Sequence, residues 1–313
     1  MIKKLLLIFL LTYPQFSHSS VEVDFNIWLK KFKITAHEEG ISEETINNSL
    51  KNAKYLEQVI KYDRYQPEFF EDTKTYIKKR ATRSRMLKAK GLLIKNKKLF
   101  DEVEKEFKVE KELLLALWGI ETNFGKHVGK MDIISSLATL SFDKRRSEFF
   151  SKELIILLKL IDQKLINVDT LYGSWAGAFG NFQFMPSSIE NYAIDYDKNN
   201  KIELKQSLPD AVASAANYIS KIGWEYQSSC LHKVELTKPI SKKYINTSAK
   251  KIKNYLTIKL WKKKGIVDIE QISDKNKAAL VIPDLAVPEG NENSPAFLVF
   301  ENYEKIFSAF IIS

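Results

Sequence analysis

Apolar residues from Phe25 to about Lys108 recur at helical spacing, as in FNIWLKKFKITAHEEG and ISEETINNSL, and that period predicts helices that bury one face. Ser42, followed three residues on by Thr45 with acids in the first turn, marks one helix start. Pro67 in YQPEFF divides the region into at least two parts, and Gly40 and Gly91 are its only glycines. From Val109 to about Tyr226 the pattern stays mainly helical but is differently made, because six of the eleven glycines fall between Gly119 and Gly180. Glycine concentrated in this way marks places where backbone approaches a ligand or another backbone. Beyond Trp224 the period shortens: HKVEL, NYLTIKLW, AALVIP and AFLVF, separated by turns such as PEGNENSP, predict a small β unit.

The chain thus reads as a mainly α (α+β) protein with a leader at 1–19, an N-terminal helical domain at 20–108, a second helical unit at 109–228, a β unit at 229–300 and a short tail at 301–313, without internal repeats. In the leader, MIKKLLLIFLLTYPQFSHSS, two lysines precede an apolar stretch of roughly ten residues and then small polar residues, the order of a secretory signal peptide. That stretch is well short of the ~20 residues that span a bilayer. Export to the periplasm with cleavage is expected. No cysteine follows the apolar stretch to accept a lipid, so a soluble protein rather than a lipoprotein is expected.

The 44% hydrophobic and 28% charged composition is ordinary for a globular chain. The net charge of +10 becomes +8 once Lys3 and Lys4 leave with the signal, which favours anionic surfaces such as cell-wall polymer or membrane headgroups over neutral ones. Export makes nucleic acid the weakest partner, and the lysines of LKAKGLLIKNKK and KLWKKKG are interleaved with apolar residues instead of forming one basic patch. Cys230 has no second cysteine to pair with and reads as a small core residue. The four histidines are scattered and exclude a zinc cluster, and GIETNFGKH and GSWAGAFG lack the spacing of phosphate loops, dinucleotide loops or nucleophile elbows.

One residue breaks the apolar logic. In VEKELLLALWGIETNFG, Glu121 shares a helical face with Leu113, Leu117 and Phe124. A carboxyl held among apolar side chains resists ionisation and suits a general acid near neutral pH, while a surface acid paired with lysine is the alternative. Further on, LYGSWAGAFGNFQFMPSS combines small residues, aromatics and amides. It suits a groove in which Asn181 or Gln183 binds sugar hydroxyls while Trp175 and Phe182 stack on sugar faces. Tight helix packing through Gly177 and Gly180 explains the same glycines equally well.

These motifs in order resemble the B-type lytic transglycosylases, bacterial enzymes of the lysozyme superfamily that cleave peptidoglycan. WGIETNFG is similar to the family's W-G-[IV]-E-[ST]-x-[FWY]-G helix, and it is followed by SLATLSF with Arg145-Arg146, by GSWAGAFGNFQFMPSS and by the DA…AANYI…GW segment from Asp210 to Trp224. DRYQPEF upstream and LVIPDLAVPEGNENSPAFLVFENYEKI downstream extend the likeness from about Asp24 to Ile306. The resemblance implies a lysozyme-like catalytic core with an N-terminal helical domain and an inserted β unit, acting as a monomer on peptidoglycan glycan strands. It further implies that Glu121 protonates the bond between N-acetylmuramic acid and N-acetylglucosamine and then, as a base, lets the muramyl C6 hydroxyl attack C1, leaving a 1,6-anhydromuramyl end. No second carboxylate is needed, unlike the usual glycosidase pair. Ser174, Gln183 and Tyr218 would line the groove and Arg145 or Arg146 would meet its acidic parts, while Asn181 falls where relatives often carry an aromatic.

Two departures follow from the same comparison of motifs. DYDKNNKIELKQ stands where some relatives have a calcium loop: Asp195, Asp197, Asn199 and Lys201 occupy ligand positions, but Gln206 replaces the bidentate acid and Asn200 the turn glycine. No cofactor is required on this reading, and weak calcium binding or none is expected, with an Asx-type turn in its place. The ending YEKIFSAFIIS also lacks the family's aromatic-Asn-x-Ser motif and closing helix. A truncated return to the core is therefore expected, with apolar surface left open and a catalytically weakened, peptidoglycan-binding relative as the alternative function.

Overall fold

The computed structural model describes residues 18–65, 72–248, 251–286 and 294–310. Residues 1–17 of the leader, the QPEFFE stretch around Pro67 and the VPEGNEN turn lie outside the described residues.

The N-terminal helices are α1 (His18–Glu38), α2 (Glu43–Leu50), α3 (Glu57–Arg64), α4 (Thr73–Arg80), α5 (Arg83–Lys95) and α6 (Lys97–Phe107). Several starts are capped as their sequences dictate: Ser42, Asp72 and Thr82 accept from the N–H groups of Thr45, Thr75 and Arg85 at 3.2, 2.9 and 3.2 Å. The second unit holds α7 (Lys111–Thr122), α8 (Ile133–Phe142), α9 (Ser147–Asp162), α10 (Pro186–Tyr192) and α11 (Leu208–Lys221). A short antiparallel ribbon, β1 (Met131–Asp132) with β2 (Tyr172–Gly173), joins the chain before α8 to the chain after α9.

One hydrophobic cluster runs from Phe25 to Ile219, so the segments 20–108 and 109–228 share a core. Its centre is α8, where Ile133 to Ser141 are all buried. Two polar residues inside that helix are used: Ser135 Oγ and Thr139 Oγ1 accept from the N–H groups of Lys54 and Leu56 at 3.1 and 2.9 Å, fastening the α2–α3 linker across the helix.

The β unit consists of β3 (Leu231–Leu236), β4 (Ile245–Asn246), β5 (Leu256–Thr257), β6 (Ile266–Val267), β7 (Lys277–Val281) and β8 (Ala296–Val299), in the order β4-β7-β8-β3-β6, with β5 on β7. HKVEL, AALVIP and AFLVF form strands as expected. NYLTIKLW does so only at Leu256–Thr257, after which Ile258–Lys263 forms α12. Burying both Ile258 and Trp261, three residues apart, requires a helix, and Trp261 Nε1 donates to Ala278 O at 2.8 Å.

The tail, expected to be a truncated return to the core, does reach it. The chain returns to the core as α13 (Glu301–Phe310), with Ile306 packed against the main cluster. Asn302, 1% exposed, accepts from Glu225 N at 2.9 Å and donates to the carbonyls of Glu225 and Ser228 at 2.9 and 3.2 Å. Lys305 Nζ adds a hydrogen bond to Gly223 O at 3.0 Å.

Candidate active site

Glu121 lies in the last turn of α7, beside buried Leu117, Trp118, Thr122 and Phe124. The carboxyl is half-buried and makes no hydrogen bond or ion pair with a described group. Burial alone pushes its pKa from the ordinary 4.5 up to about 7. Its position at the negative end of the helix dipole opposes ionisation in the same sense. A carboxyl in this condition can hold a proton near neutral pH and still release it, which suits one group acting as acid and then base.

The chain turns sharply after the helix. Asn123, Phe124 and Gly125 all have left-handed φ, at 51°, 60° and 77°. Gly125 is required there twice over, because a Cβ would also stand 2.6 Å from Asn181 Oδ1. Asn181 holds the turn: Oδ1 accepts from Trp118 Nε1 at 2.9 Å, and Nδ2 donates to the carbonyls of Leu204 and Lys205 at 3.0 and 3.1 Å. Thr122, fully buried, donates from Oγ1 to Asn181 O at 2.8 Å and accepts from Gly125 N at 3.0 Å. The residue after Glu121 is thereby locked to the segment that carries Gln183.

Asn181 and Phe182 are consequently corrected as sugar ligands. Asn181 is 5% exposed with both amide ends committed, and Phe182 is 3% exposed in the core. Gly177 and Gly180 prove to be packing glycines, set against Leu137 and Leu204. Gln183, with φ 52°, donates from Nε2 to Gly180 O at 3.0 Å and Val128 O at 3.3 Å, which leaves Oε1 without a donor among the described residues. Ser174 closes a turn, its Oγ accepting from Ala178 N at 3.1 Å. Tyr218 is stacked on Tyr192 at 4.4 Å, and burial, with Tyr192 adding to it, raises its pKa against a lowering hydrogen bond with Ser188.

Arg145 and Arg146, expected to meet acidic parts of the ligand, are both engaged within the protein. Both reach the carboxylate of Asp63, 2% exposed; Arg145 Nη2 is 2.8 Å away, and Arg146 is in direct contact. Arg64 joins the same carboxylate at 2.7 Å and Asp143 at 2.8 Å. Burial works to raise the Asp63 pKa, but its bonds with Arg146 and Arg145 hold the net value below the ordinary 3.8. The signal for Asp63 is its place directly before Arg64 in DRYQPEF.

In the 195–206 loop, Asp195 and Asp197 converge with Asp210, their ligand oxygens within 4.8 Å of one another. Asp210, missed as a member of this group, is fully buried and accepts from the N–H groups of Tyr196, Asp197 and Glu203 at 2.9, 3.3 and 3.1 Å. Asp195 accepts from Asn199 N and Asn200 N at 3.0 and 2.7 Å, and Asn199 Oδ1 from Lys201 N at 2.9 Å, the expected Asx-type turn. Asn200 takes the left-handed φ of 67° that a turn glycine would take. The three carboxylates and nearby carbonyl oxygens suit a hard cation in kind. The fit is partial, because Gln206 is exposed, its side chain makes no described hydrogen bond, and the backbone N–H groups already offset the acidic charge.

A helical core carrying one isolated, desolvated glutamate defines a lysozyme-like protein. Residues 24–308 match the Transglycosylase SLT domain family, and the chain belongs to it. A stretch of 117 residues is 42% identical to the membrane-bound lytic murein transglycosylase B of Escherichia coli (strain K12), covering 37% of this chain and about a third, 32%, of that relative. The structure is similar to SltB3 from Pseudomonas aeruginosa in complex with NAG-NAM-pentapeptide, with a TM-score of 0.82 and 28% identity over 91% of this chain and 75% of that one. It also shares its fold with the soluble lytic transglycosylase SltB1 from Pseudomonas aeruginosa, with a TM-score of 0.78 and 22% identity over 90% of this chain and 92% of that one.

Proposed function

We propose that this protein is a peptidoglycan lytic transglycosylase with Glu121 as its single acid and base. Protonated Glu121 gives its proton to the glycosidic oxygen between N-acetylmuramic acid and N-acetylglucosamine as the C1–O bond breaks. The resulting carboxylate takes the proton of the muramyl C6 hydroxyl while O6 bonds to C1, so Glu121 ends as it began and no water is consumed. The observation that carries this reading is the Glu121 carboxyl itself, held up to about 7 by burial with no neighbouring charge involved. NAG-NAM-pentapeptide bound to the SltB3 relative supports a glycan strand as the ligand. Gln183 Oε1 and the Ser174 hydroxyl offer polar contacts to such a strand, with Tyr218 as an aromatic wall and the outer N–H groups of Arg145 and Arg146 available to acidic parts.

Calcium, if held, would lie among Asp195, Asp197 and Asp210 and serve only to stiffen that loop. The lysine-led apolar leader supports export, and no described helix is long and apolar enough to cross a membrane. Digestion of purified peptidoglycan, with products read by mass spectrometry, tests the reaction. Anhydromuramyl ends from the parent and none from Glu121→Gln support it; reducing ends formed with water would make the protein a hydrolase.

A further inference from the structure

Away from Glu121, α4, α5 and α7 enclose an apolar groove of about 490 Å³. Its α7 wall includes Leu115, Gly119 and Ile120, and Glu121 takes no part in it. The apolar surface continues outward along α5. Met86, Leu87 and Ile94 fall on one helical face with Lys90, and they are 50%, 55% and 78% exposed, while Ile120 is 51% exposed. Such large aliphatic side chains would normally be covered in a helical protein.

The charge on α4 and α5 has one sign, and Glu112 of α7 is the acidic residue lining the groove. Residues 73–98 contain eleven Lys or Arg and no Asp or Glu. Lys97 and Lys98 pair forward with Asp101 and Glu102, but Lys74, Lys78, Arg83, Lys90 and Lys95 are exposed and form no ion pair with a described carboxylate. A hydrated polyanion would satisfy these cations and leave the aliphatic stripe in water. A surface that offers anionic headgroups above an apolar layer satisfies both, as basic amphipathic helices do when they lie in a bilayer interface.

We infer that the exposed face of α4 and α5 is an interfacial docking surface for an anionic lipid bilayer, with Met86, Leu87 and Ile94 entering the headgroup boundary and the basic residues reading the headgroups. The contact lies in the membrane plane, consistent with the absence of a spanning helix among the described residues. It does not depend on the proposed reaction. Each engaged cation is expected to raise partitioning about fivefold, equivalent to ~1 kcal/mol.

The test places an environment-sensitive fluorophore on Ile94→Cys in a Cys230→Ser background, with the same fluorophore on Leu236→Cys as a distant control. Vesicles of phosphatidylcholine alone and of phosphatidylcholine with phosphatidylglycerol are added to each. The expected result is a blue shift at position 94, not at 236, with the anionic vesicles only. Leu87→Ser combined with Ile94→Ser should lower sedimentation with those vesicles at least tenfold at an unchanged Tm, since both side chains are exposed. No shift at 94, an equal shift with neutral vesicles, or undiminished binding by the double variant would overturn the inference. So would a double variant that loses sedimentation with purified sacculi while keeping it with vesicles, which would make the stripe a glycan surface.

Discussion

Trp118 Nε1 donates to Asn181 Oδ1 at 2.9 Å, and through this bond the helix that carries Glu121 is tied to the turn that carries Gln183. Asn181 extends the tie to Leu204 and Lys205, at the far end of the acidic loop. Asn181→Ala leaves the buried indole N–H of Trp118 without its acceptor and Lys205 O without its donor, each costing about 1–3 kcal/mol, while Leu204 O keeps the Asn181 backbone N–H. Thermal unfolding should show a loss of at least ~2 kcal/mol. Water admitted beside Glu121 should also move the alkaline limb of the activity profile to lower pH. A purely global destabilisation would leave that limb in place.

Glu121 itself predicts a pH dependence in which stability and activity both decline as its carboxyl ionises. Its folded pKa of about 7 lies above the ordinary 4.5. Below 4.5 both folded and unfolded states hold the proton. As pH rises towards 7 the unfolded chain releases it first, so stability falls through that window and levels off above it. At about 1.4 kcal/mol per unit, the loss at pH 8 is at most ~3 kcal/mol, and Glu121→Gln should recover it in urea unfolding. Turnover should decline above pH ~7 as the acid form disappears, and Glu121→Gln should lower it by a factor of about 10²–10⁴. A variant no more stable than the parent at pH 8 would contradict the burial assigned to this carboxyl.

The placement of Glu121 among apolar side chains is legible in sequence because helical period puts it in line with Leu117 and Phe124, both buried in the fold. The role of Asn181 is not, because its partner Trp118 is 63 positions away and an amide reads the same whether it faces a sugar or an indole. Local ambiguity accounts for α12, since an apolar run of four to eight residues fits either a strand or one helical turn. The return helix α13 is hidden for a different reason. The apolar period of YEKIFSAF suits a helix, but without the aromatic-Asn-x-Ser motif nothing local says that it packs on the core.

Asp63 joins three guanidinium groups, from Arg64, Arg145 and Arg146, at one buried carboxylate. Asp63→Asn keeps the shape but removes the charge, and breaking a buried pair from one side costs up to 3–5 kcal/mol. The arginine side chains are 35–47% exposed, and solvent screening reduces that figure to about 2 kcal/mol. Because the folded pKa of Asp63 lies below the ordinary 3.8, its contribution is present above that value and is lost as pH falls through the lower folded value. Parent and variant stabilities measured by denaturant should therefore converge in acid and separate near neutrality.

The 195–206 loop is already held by backbone hydrogen bonds to Asp195 and Asp210, so cation binding has little ordering left to contribute. A dissociation constant in the millimolar range gives about 0.4 kcal/mol at half saturation. Chelator treatment should shift Tm by no more than ~2 °C. Asp210→Ala, which strips three N–H groups of their acceptor, should lower Tm well beyond the chelator's effect. A large, saturable rise in Tm with micromolar calcium would show that Gln206 is not the handicap its chemistry suggests.

Asn302 decides whether the last helix belongs to the core or merely rests on it. Its amide is 1% exposed and bonds to the backbone of Glu225 and Ser228, just beyond α11. Asn302→Ala should cost about 1–3 kcal/mol for the buried groups left unpaired. The effect should be local as well as global: amide exchange should quicken in α13 and around Glu225 before it does in α8, where Ile133 and Leu137 are fully buried. If α13 closes the core, peptidoglycan turnover by the variant should fall with the folded fraction of α13. Unchanged turnover with a detached helix would place α13 outside the working groove and leave the α7–Asn181 tie as the contact that fixes Glu121.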